Sequence, residues 1–348
     1  MTLANAMLRY YSPRRLVLPL LLLLTLLIAG CGGEAAAPPT PLADGVAPVR
    51  GEALPGRLLF VRQGVIWQWR DREARPLFGD GTAFQPAWAP DGTRIAYVAR
   101  ANSFSEVLLA DASGRPLAQL TDNGSPAPPN SIDRVYTSRW AFYPAWSPDG
   151  IRVAVAAQVR PPTDDPPVDE SLELVLLPIT TGAPLPVYAD PAAQVGRSVF
   201  LPDGTGLIFT RAGSGPAGQQ ALYRLDLSSG ASEAVSGAPA GSYDPARSPD
   251  GRWLAFATRQ GGRTDIAALP LAGGTPVRLT SQGAARAPAF APDGRLLAFL
   301  AVAPGEPGFD LWVTELQLGA DGTLSAGAPR RLTSGLALDA DSGLSWAP

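Results

Sequence analysis

Residues 86–100 read PAWAPDGTRIAYVAR, and this pattern returns along the chain. In each copy a short apolar run leads into Pro-Asp-Gly, whose three residues suit successive positions of a tight turn. A second apolar run follows, so each copy predicts a β-hairpin. The further copies are PAWSPDGIRVAVAAQ (144–158), PARSPDGRWLAFATR (245–259), PAFAPDGRLLAFLA (288–301) and a weaker one, SVFLPDGTGLIFTR (198–211).

The hairpins recur at the interval of a propeller blade. Successive motif prolines lie 58, 54, 47, 43 and 56 residues apart, ending at Pro348. Such a period holds about four short strands, A to D, which is one blade. Residues 56–80 offer strands B, C and D, and residues 342–348 offer a lone strand A. We therefore expect an all-β fold, a six-bladed β-propeller of four-stranded blades closed by the C-terminal strand joining the N-terminal blade.

The pattern P-x-W-S-P-D-G-x-x-I-A-F resembles the PD-type, WD-repeat-like repeats of TolB-family propellers. The resemblance covers residues 56–348 and implies the fold. It implies little about function, because prolyl-oligopeptidase-type enzymes carry the same repeats in their propeller domains. We expect only a linker ahead of the blades, without the N-terminal domain of TolB.

The N-terminus is typical of an export signal. Arg9, Arg14 and Arg15 precede an apolar run at 16–29 that is short for a membrane-spanning helix. The run ends in Ile28-Ala29-Gly30-Cys31, which resembles the bacterial lipobox, whose cysteine is lipidated and becomes the mature N-terminus.

These features predict three segments. Residues 1–30 form a lipoprotein signal peptide, 31–55 a lipidated Cys31 with a flexible linker, and 56–348 the propeller. The chain would then be exported and lipid-anchored to the bacterial cell membrane, facing outside the cytoplasm.

The charged and reactive residues narrow the function classes. All 28 basic residues are arginine, and the chain has no histidine and one cysteine. A Ser-His-Asp triad and an intrachain disulfide are thus excluded within this sequence. Cleavage before Cys31 leaves 25 arginines against 31 acidic residues, a net charge of −6 with no basic cluster for nucleic acid. We expect a monomer.

The repeat places a mixed polar ring at one end of the central channel. Positions just before strand A line the channel mouth in such folds, and this ring is suited to a peptide or small ligand. Ordinary solvated loop residues remain the alternative. The positions are Gln85, Tyr143, Arg197, Asp244 and Arg286.

A second repeat position is aromatic in every copy but one. Aromatic residues stand three positions before the turn Asp, and Arg247 replaces them in a single copy. The aromatic residues suit packing between blades, and Arg247 marks either a functional position or a side chain that reaches solvent. The aromatic members are Trp88, Trp146, Phe200, Phe290 and Trp346.

Two acidic segments are candidate cation sites. Asp164, Asp165, Asp169 and Glu170 offer the oxygen ligands that Ca²⁺ prefers, and Asp339 with Asp341 is a weaker case. Neither matches a full calcium loop, so we expect no cofactor, with Ca²⁺ as the alternative.

Long predicted loops lie at 122–140, 159–171 and 212–220, at the end of the ring opposite the Pro-Asp-Gly turns. The sequence favours a non-catalytic binding or scaffold module for a protein, peptide or glycan. The alternatives are a carboxylate- or cation-dependent propeller enzyme, lactonase-like or lyase-like, and a structural subunit of an envelope complex.

Overall fold

The computed structural model describes residues 47–160, 172–213, 219–320 and 322–348. The signal-peptide region and Cys31 lie outside these ranges, as do four predicted acidic positions, Asp164, Asp165, Asp169 and Glu170. Among the described residues, no helix has the length and apolar character needed to cross a membrane.

The described residues form twenty-four strands and one short helix. It begins with β1 (Val49–Arg62) and β2 (Val65–Phe78). Blade 1 follows with β3 (Ala83–Trp88), β4 (Arg94–Arg100), β5 (Ser105–Asp111) and β6 (Pro116–Gln119). After helix α1 (Asp133–Thr137), blade 2 comprises β7 (Ala141–Trp146), β8 (Arg152–Gln158), β9 (Leu172–Pro178) and β10 (Leu185–Tyr188).

Blade 3 comprises β11 (Ala193–Phe200), β12 (Gly206–Gly213), β13 (Gln220–Asp226) and β14 (Ser232–Ala234). Blade 4 comprises β15 (Ser242–Arg247), β16 (Trp253–Gln260), β17 (Arg263–Pro270) and β18 (Val277–Arg278). Blade 5 comprises β19 (Ala285–Phe290), β20 (Leu296–Ala301), β21 (Asp310–Leu318), β22 (Leu324–Ala326) and β23 (Arg330–Arg331), and β24 (Ser345–Ala347) ends the chain.

The ring closes as the sequence predicts. Strand β24 pairs antiparallel with β1, with Leu58 opposite Trp346, so the two chain ends share the closing blade. That blade is built from β24, β1 and β2. The separate strand D expected within residues 56–80 is instead part of β2, whose pairing with β1 continues as far as Ala74, with register shifts on either side of the pair Leu54 and Asp71. The six-bladed propeller prediction is confirmed.

The folded part begins ahead of the boundary expected at residue 56. Strand β1 begins at Val49, Leu54 is buried, and the Glu52 carboxylate accepts from Arg330 Nε at 2.9 Å. A Cβ built on Gly56 would lie 3.2 Å from Pro292 in the turn of blade 5. Gly56, within β1, therefore lies on the face of the Pro-Asp-Gly turns, and the residues before it contact Arg330 and Leu332 of blade 5.

The Pro-Asp-Gly turns are self-contained. Asp91 accepts from the backbone N–H of Thr93 at 2.9 Å, and this bond leads the causes that lower its pKa. Gly92 has φ +65°, a left-handed conformation that glycine adopts without strain. Each turn aspartate therefore stabilises its own turn, and the turns are spread around the ring.

Six apolar clusters hold the described blades together, one at each junction. Phe209 and Leu174 belong to the cluster between blades 2 and 3, and Trp69 and Leu311 to the one between blade 5 and the closing blade. Because every blade buries both faces against neighbours, the inner strands around the channel are held rigidly.

Candidate functional site

The inner strands β3, β7, β11, β15 and β19 each carry a bulge next to their mouth residue. The pairing of A with B shifts between Phe84 and Ala87 in β3, and between Tyr243 and Ala246 in β15. An extra residue there takes left-handed backbone, as at Gln85 (φ 52°). Bulges re-aim side chains, and non-glycine residues in this conformation cost roughly 1–3 kcal/mol. Tyr143 (φ 56°) and Asp244 (φ 52°) repeat the arrangement.

Four charged residues meet at the mouth of the channel. The Asp244 carboxylate is almost fully buried and accepts from Arg286 Nε at 3.0 Å. Arg197 Nε lies 3.5 Å from the same carboxylate, an ion pair without hydrogen-bond geometry. Arg286 also donates to the Asp341 carboxylate at 2.6 Å. Two guanidinium groups and two carboxylates thus alternate, and their formal charges cancel.

The ion pairs offset the cost of burying Arg286. Burial lowers the pKa of Arg286, but the Asp244 carboxylate, through its charge and hydrogen bond, more than reverses this and raises it. The guanidinium also lies 5.3 Å from the ring centre of Tyr243. Arg286 is therefore a fixed cation rather than a titrating group.

Arg197 spans the channel. It arises from blade 3, yet it donates to the backbone carbonyl of Asp341, in the connection to the closing blade, at 2.9 Å. A Cβ built on Gly343 would lie 2.7 Å from its Cζ. Blade 3 and the closing blade face each other across the ring, so this side chain crosses the mouth.

Tyr143 and Gln85 complete the cluster. The Tyr143 ring lies 5.1 Å beneath the Arg197 guanidinium, and burial raises the pKa of its hydroxyl. Gln85 accepts from the backbone N–H of Tyr143 at 2.8 Å, and its buried Nε2 has no hydrogen-bond partner in the described part of the chain. We call Gln85, Tyr143, Arg197, Asp244, Arg286 and Asp341 the mouth cluster.

The structure therefore brings together the five ring positions taken from the sequence. Arg286 stands one residue ahead of the bulge residue Ala287, and its long side chain still reaches Asp244. The sequence analysis missed Asp341 as a partner of these arginines and treated it as a weak cation ligand. The structure instead uses Asp339 to accept from the backbone N–H of Asp341 at 2.9 Å.

Half-buried aromatic residues extend from the cluster over blades 1 and 2. Arg100 lies 4.6 Å from the ring centre of Phe84 and 5.8 Å from that of Phe142. The Phe142 ring stacks on Trp140 at 5.8 Å with an interplanar angle of 12°. We call Phe84, Arg100, Trp140 and Phe142 the aromatic shelf. The repeat held a signal for it, because the residue before the mouth position is aromatic at Phe84, Phe142 and Tyr243.

Buried acidic residues at the start of strand C accept hydrogen bonds from the connections between blades, which lead to the mouth. Glu106 accepts from the N–H groups of Asn123 (2.8 Å) and Gly124 (3.2 Å). Ser105 Oγ donates to the carbonyl of Ala141 at 2.7 Å, which fixes the start of β7. The sequence analysis missed this device, although RLTS at 278–281 and again at 331–334 signals it.

The aromatic repeat position packs between blades, as expected from its pattern. Trp146 donates from Nε1 to the carbonyl of Ala87 in the preceding blade at 2.9 Å. Arg247, the exception, lines the same channel as Arg197 but stands three residues before its turn aspartate, where Arg197 stands six residues before its own. The channel has a volume of about 280 Å³.

No three acidic or cysteine side chains of the described residues lie together as a metal site. The mouth carboxylates Asp244 and Asp341 are instead paired with guanidinium groups.

The repeat, the closed ring and the bulged inner strands together define a specific propeller type. The family model for the TolB beta propeller domain matches residues 134–317, from α1 to strand C of blade 5. The chain belongs to the TolB β-propeller domain family. The family resemblance noted from the sequence is thereby confirmed. Among curated proteins, no match is found for this TolB-type propeller.

Solved structures share the fold at low identity. TolB from Acinetobacter baumannii is 20% identical, with a TM-score of 0.60 over 84% of this chain and 67% of that one. A TolB described as putative, from Agrobacterium tumefaciens, is 19% identical, with a TM-score of 0.54 over 80% and 88%. A chain of a nidogen/laminin complex is 12% identical, with a TM-score of 0.56 over 83% and 97%. These likenesses concern the fold alone.

Proposed function

We propose that this TolB-type propeller is a non-catalytic binding module that recognises a segment of another protein at the mouth cluster. The observation that carries the proposal is the convergence of side chains from five blades on one opening, beside the aromatic shelf. The shelf is half-exposed although aromatic rings usually bury their surface, which suits a partner that covers it.

The chemistry of the two surfaces suits a peptide segment. The mouth cluster offers guanidinium and carboxylate groups side by side, so it matches backbone and side-chain groups of both charge types. The shelf offers flat apolar area next to Arg100, a composition enriched at binding hot spots. A glycan, which also stacks on aromatic rings, is the second ligand class that this surface fits.

An enzymatic role is less well supported by the geometry. A cation-dependent reaction needs carboxylate oxygens free to bind the ion, whereas Asp244 and Asp341 each hold Arg286. General acid–base work near neutral pH would have to proceed without histidine. A lactonase-like or lyase-like activity therefore stays the alternative.

Export and a lipid on Cys31 complete the proposal. The first strand passes the Pro-Asp-Gly face at Gly56, which lies beside Pro292. A tether from Cys31 would reach that face first and leave the mouth cluster pointing away from the membrane. Acyl chains contribute about 0.8 kcal/mol per buried methylene, so two or three chains anchor stably.

Site-specific photo-crosslinking tests the binding face. A photo-reactive phenylalanine analogue is placed at Phe142 on the shelf or, as the matched control, at the exposed Ile151 on a Pro-Asp-Gly turn. The proposal predicts a discrete crosslinked protein from Phe142 in cells and none from Ile151. Equal products at both sites, or a product from Ile151 alone, would contradict it.

A further inference from the structure

Arg247 occupies a place where the other blades bury an aromatic ring. In two other junctions the ring lies under an arginine of the preceding blade, Arg57 over Trp88 at 4.5 Å and Arg94 over Trp146 at 4.9 Å. At the junction of blades 3 and 4 the two roles are exchanged. Gly206 stands where that arginine would be, and Arg247 stands where the ring would be. This junction therefore holds one guanidinium group, that of Arg247, which arises from the inner strand beside the channel.

The charge of Arg247 is poorly compensated. Its Nε is buried without a hydrogen-bond partner among the described residues, and Nη1 donates only a long bond to the Ser248 carbonyl, 3.3 Å. Burial lowers the pKa of Arg247, and the nearest carboxylate, Asp250, opposes this only in part. Asp250 is itself occupied by Arg252 Nε at 2.6 Å and by Ser248 Oγ at 2.6 Å. Burying an uncompensated cation is costly, and an anion would offset that cost.

The surroundings of Arg247 suit a small anion with an apolar body. Arg247 lines the channel together with prolines and alanines of the inner strands, such as Pro288 and Ala289. The inner strands are sheet edges, so their channel-facing N–H groups have no partner strand, although those of Trp88 and Tyr143 donate to the side chains of Ser345 and Gln85. The volume of about 280 Å³ corresponds to roughly nine water molecules at about 30 Å³ each.

We propose that the channel binds a small carboxylate, either a short-chain free acid or the C-terminus of a peptide, with its carboxylate paired to Arg247. A carboxylate accepts two hydrogen bonds from one guanidinium, and the apolar body would lie against the alanine and proline wall. This site goes beyond the binding face proposed above, because Arg247 stands nearer the Pro-Asp-Gly turns than the mouth residues Arg197 and Asp244, which line the same cavity.

The test uses the full chain in detergent and two pairs of probes. Sodium butyrate is compared with butyramide, and N-acetyl-trialanine acid with its amide, by saturation-transfer NMR and calorimetric titration. At least one acid binds and neither amide does. Butyrate binding identifies a free acid as the source, and binding of the peptide acid alone identifies a chain terminus. Failure of both acids, or equal binding of acid and amide, overturns the proposal.

Substitutions at Arg247 and Arg252 test whether binding of the acid depends on Arg247. Arg247→Gln should weaken acid binding at least tenfold, whereas Arg252→Gln, an exposed arginine of the same turn, should leave it unchanged. Arg247→Phe supplies the aromatic class found in the other blades, so it should fold as well as wild type and lose binding. Binding that persists in folded Arg247→Phe would refute the assignment even if Arg247→Gln failed to fold.

Discussion

The guanidinium of Arg197 lies against Gly343 on the opposite side of the ring, where a Cβ would meet its Cζ at 2.7 Å. The same side chain donates to the carbonyl of Asp341. Arg197 therefore joins two blades that are far apart in the ring, and it can lie there only because residue 343 has no side chain. The mouth cluster depends on this contact.

Gly343→Ala tests the contact, with Gly294→Ala as a matched control. Both glycines have φ +70°, but a Cβ on Gly294 meets nothing within 4 Å. Each variant should lose about 1–2 kcal/mol of unfolding free energy from the left-handed backbone. Gly343→Ala should lose more, because it displaces Arg197.

The comparison is made by chemical denaturation, in the wild-type and the Arg197→Ala background. The excess loss at Gly343 should disappear when Arg197 is absent. An excess of the same size in both backgrounds would mean that Arg197 does not press on Gly343.

Glu106→Gln tests the anchoring of the connection to blade 2 through its pH dependence. Burial raises the pKa of Glu106 above its ordinary value, although Thr121 and Asn123 donate to the carboxylate. A carboxyl group with a raised folded-state pKa is ionised first in the unfolded chain. It therefore costs stability as pH rises from about 4 through the folded-state value.

The unfolding free energy of Glu106→Gln should therefore increase relative to that of wild type as pH rises through this window. Urea titrations from pH 4 to 8 measure the difference. Parallel curves would show that Glu106 ionises normally in the folded protein.

Trp346→Ala and Trp140→Ala separate ring closure from binding. Trp346 packs in the junction of blade 5 with the closing blade, and its Nε1 donates to the Pro55 carbonyl at 2.7 Å. Its truncation should cost about 3 kcal/mol. Trp140 is half-buried like Trp346 but is not part of the six apolar clusters of the described residues, so its truncation should cost less than half as much while abolishing crosslinking from Phe142. The reverse order of stabilities, measured by thermal melts, would contradict the assignment of roles.

The repeat alone was sufficient to predict the ring, because each Pro-Asp-Gly hairpin is a local structure whose spacing sets the blade. It also predicted four mouth positions at one offset from the turn, Gln85, Tyr143, Arg197 and Asp244, whereas Arg286 stands one residue earlier in its strand. The contacts of Arg197 could not be predicted from the sequence, because Gly343 and Asp341 become its neighbours only when the ring closes. The continuous β2 was not predicted because its pairing with β1 is interrupted by register shifts on either side of Leu54 rather than by a turn motif.

Cys31→Ala tests the anchor, which lies outside the described residues. The proposal predicts that the variant is released into the soluble extracytoplasmic fraction, or accumulates unprocessed, because the lipid supplies the attachment. Fractionation followed by immunoblotting against the propeller gives the readout. Membrane retention equal to wild type, with normal processing, would refute lipid attachment at Cys31.

The affinity of the protein captured from Phe142, measured for wild type, Arg197→Ala and Arg295→Ala, tests the central claim most directly. Arg295 is an exposed arginine of a Pro-Asp-Gly turn and serves as the control. If the mouth cluster is the binding site, Arg197→Ala weakens the complex at least tenfold and Arg295→Ala leaves it unchanged. Equal affinities for all three proteins would contradict binding at the mouth.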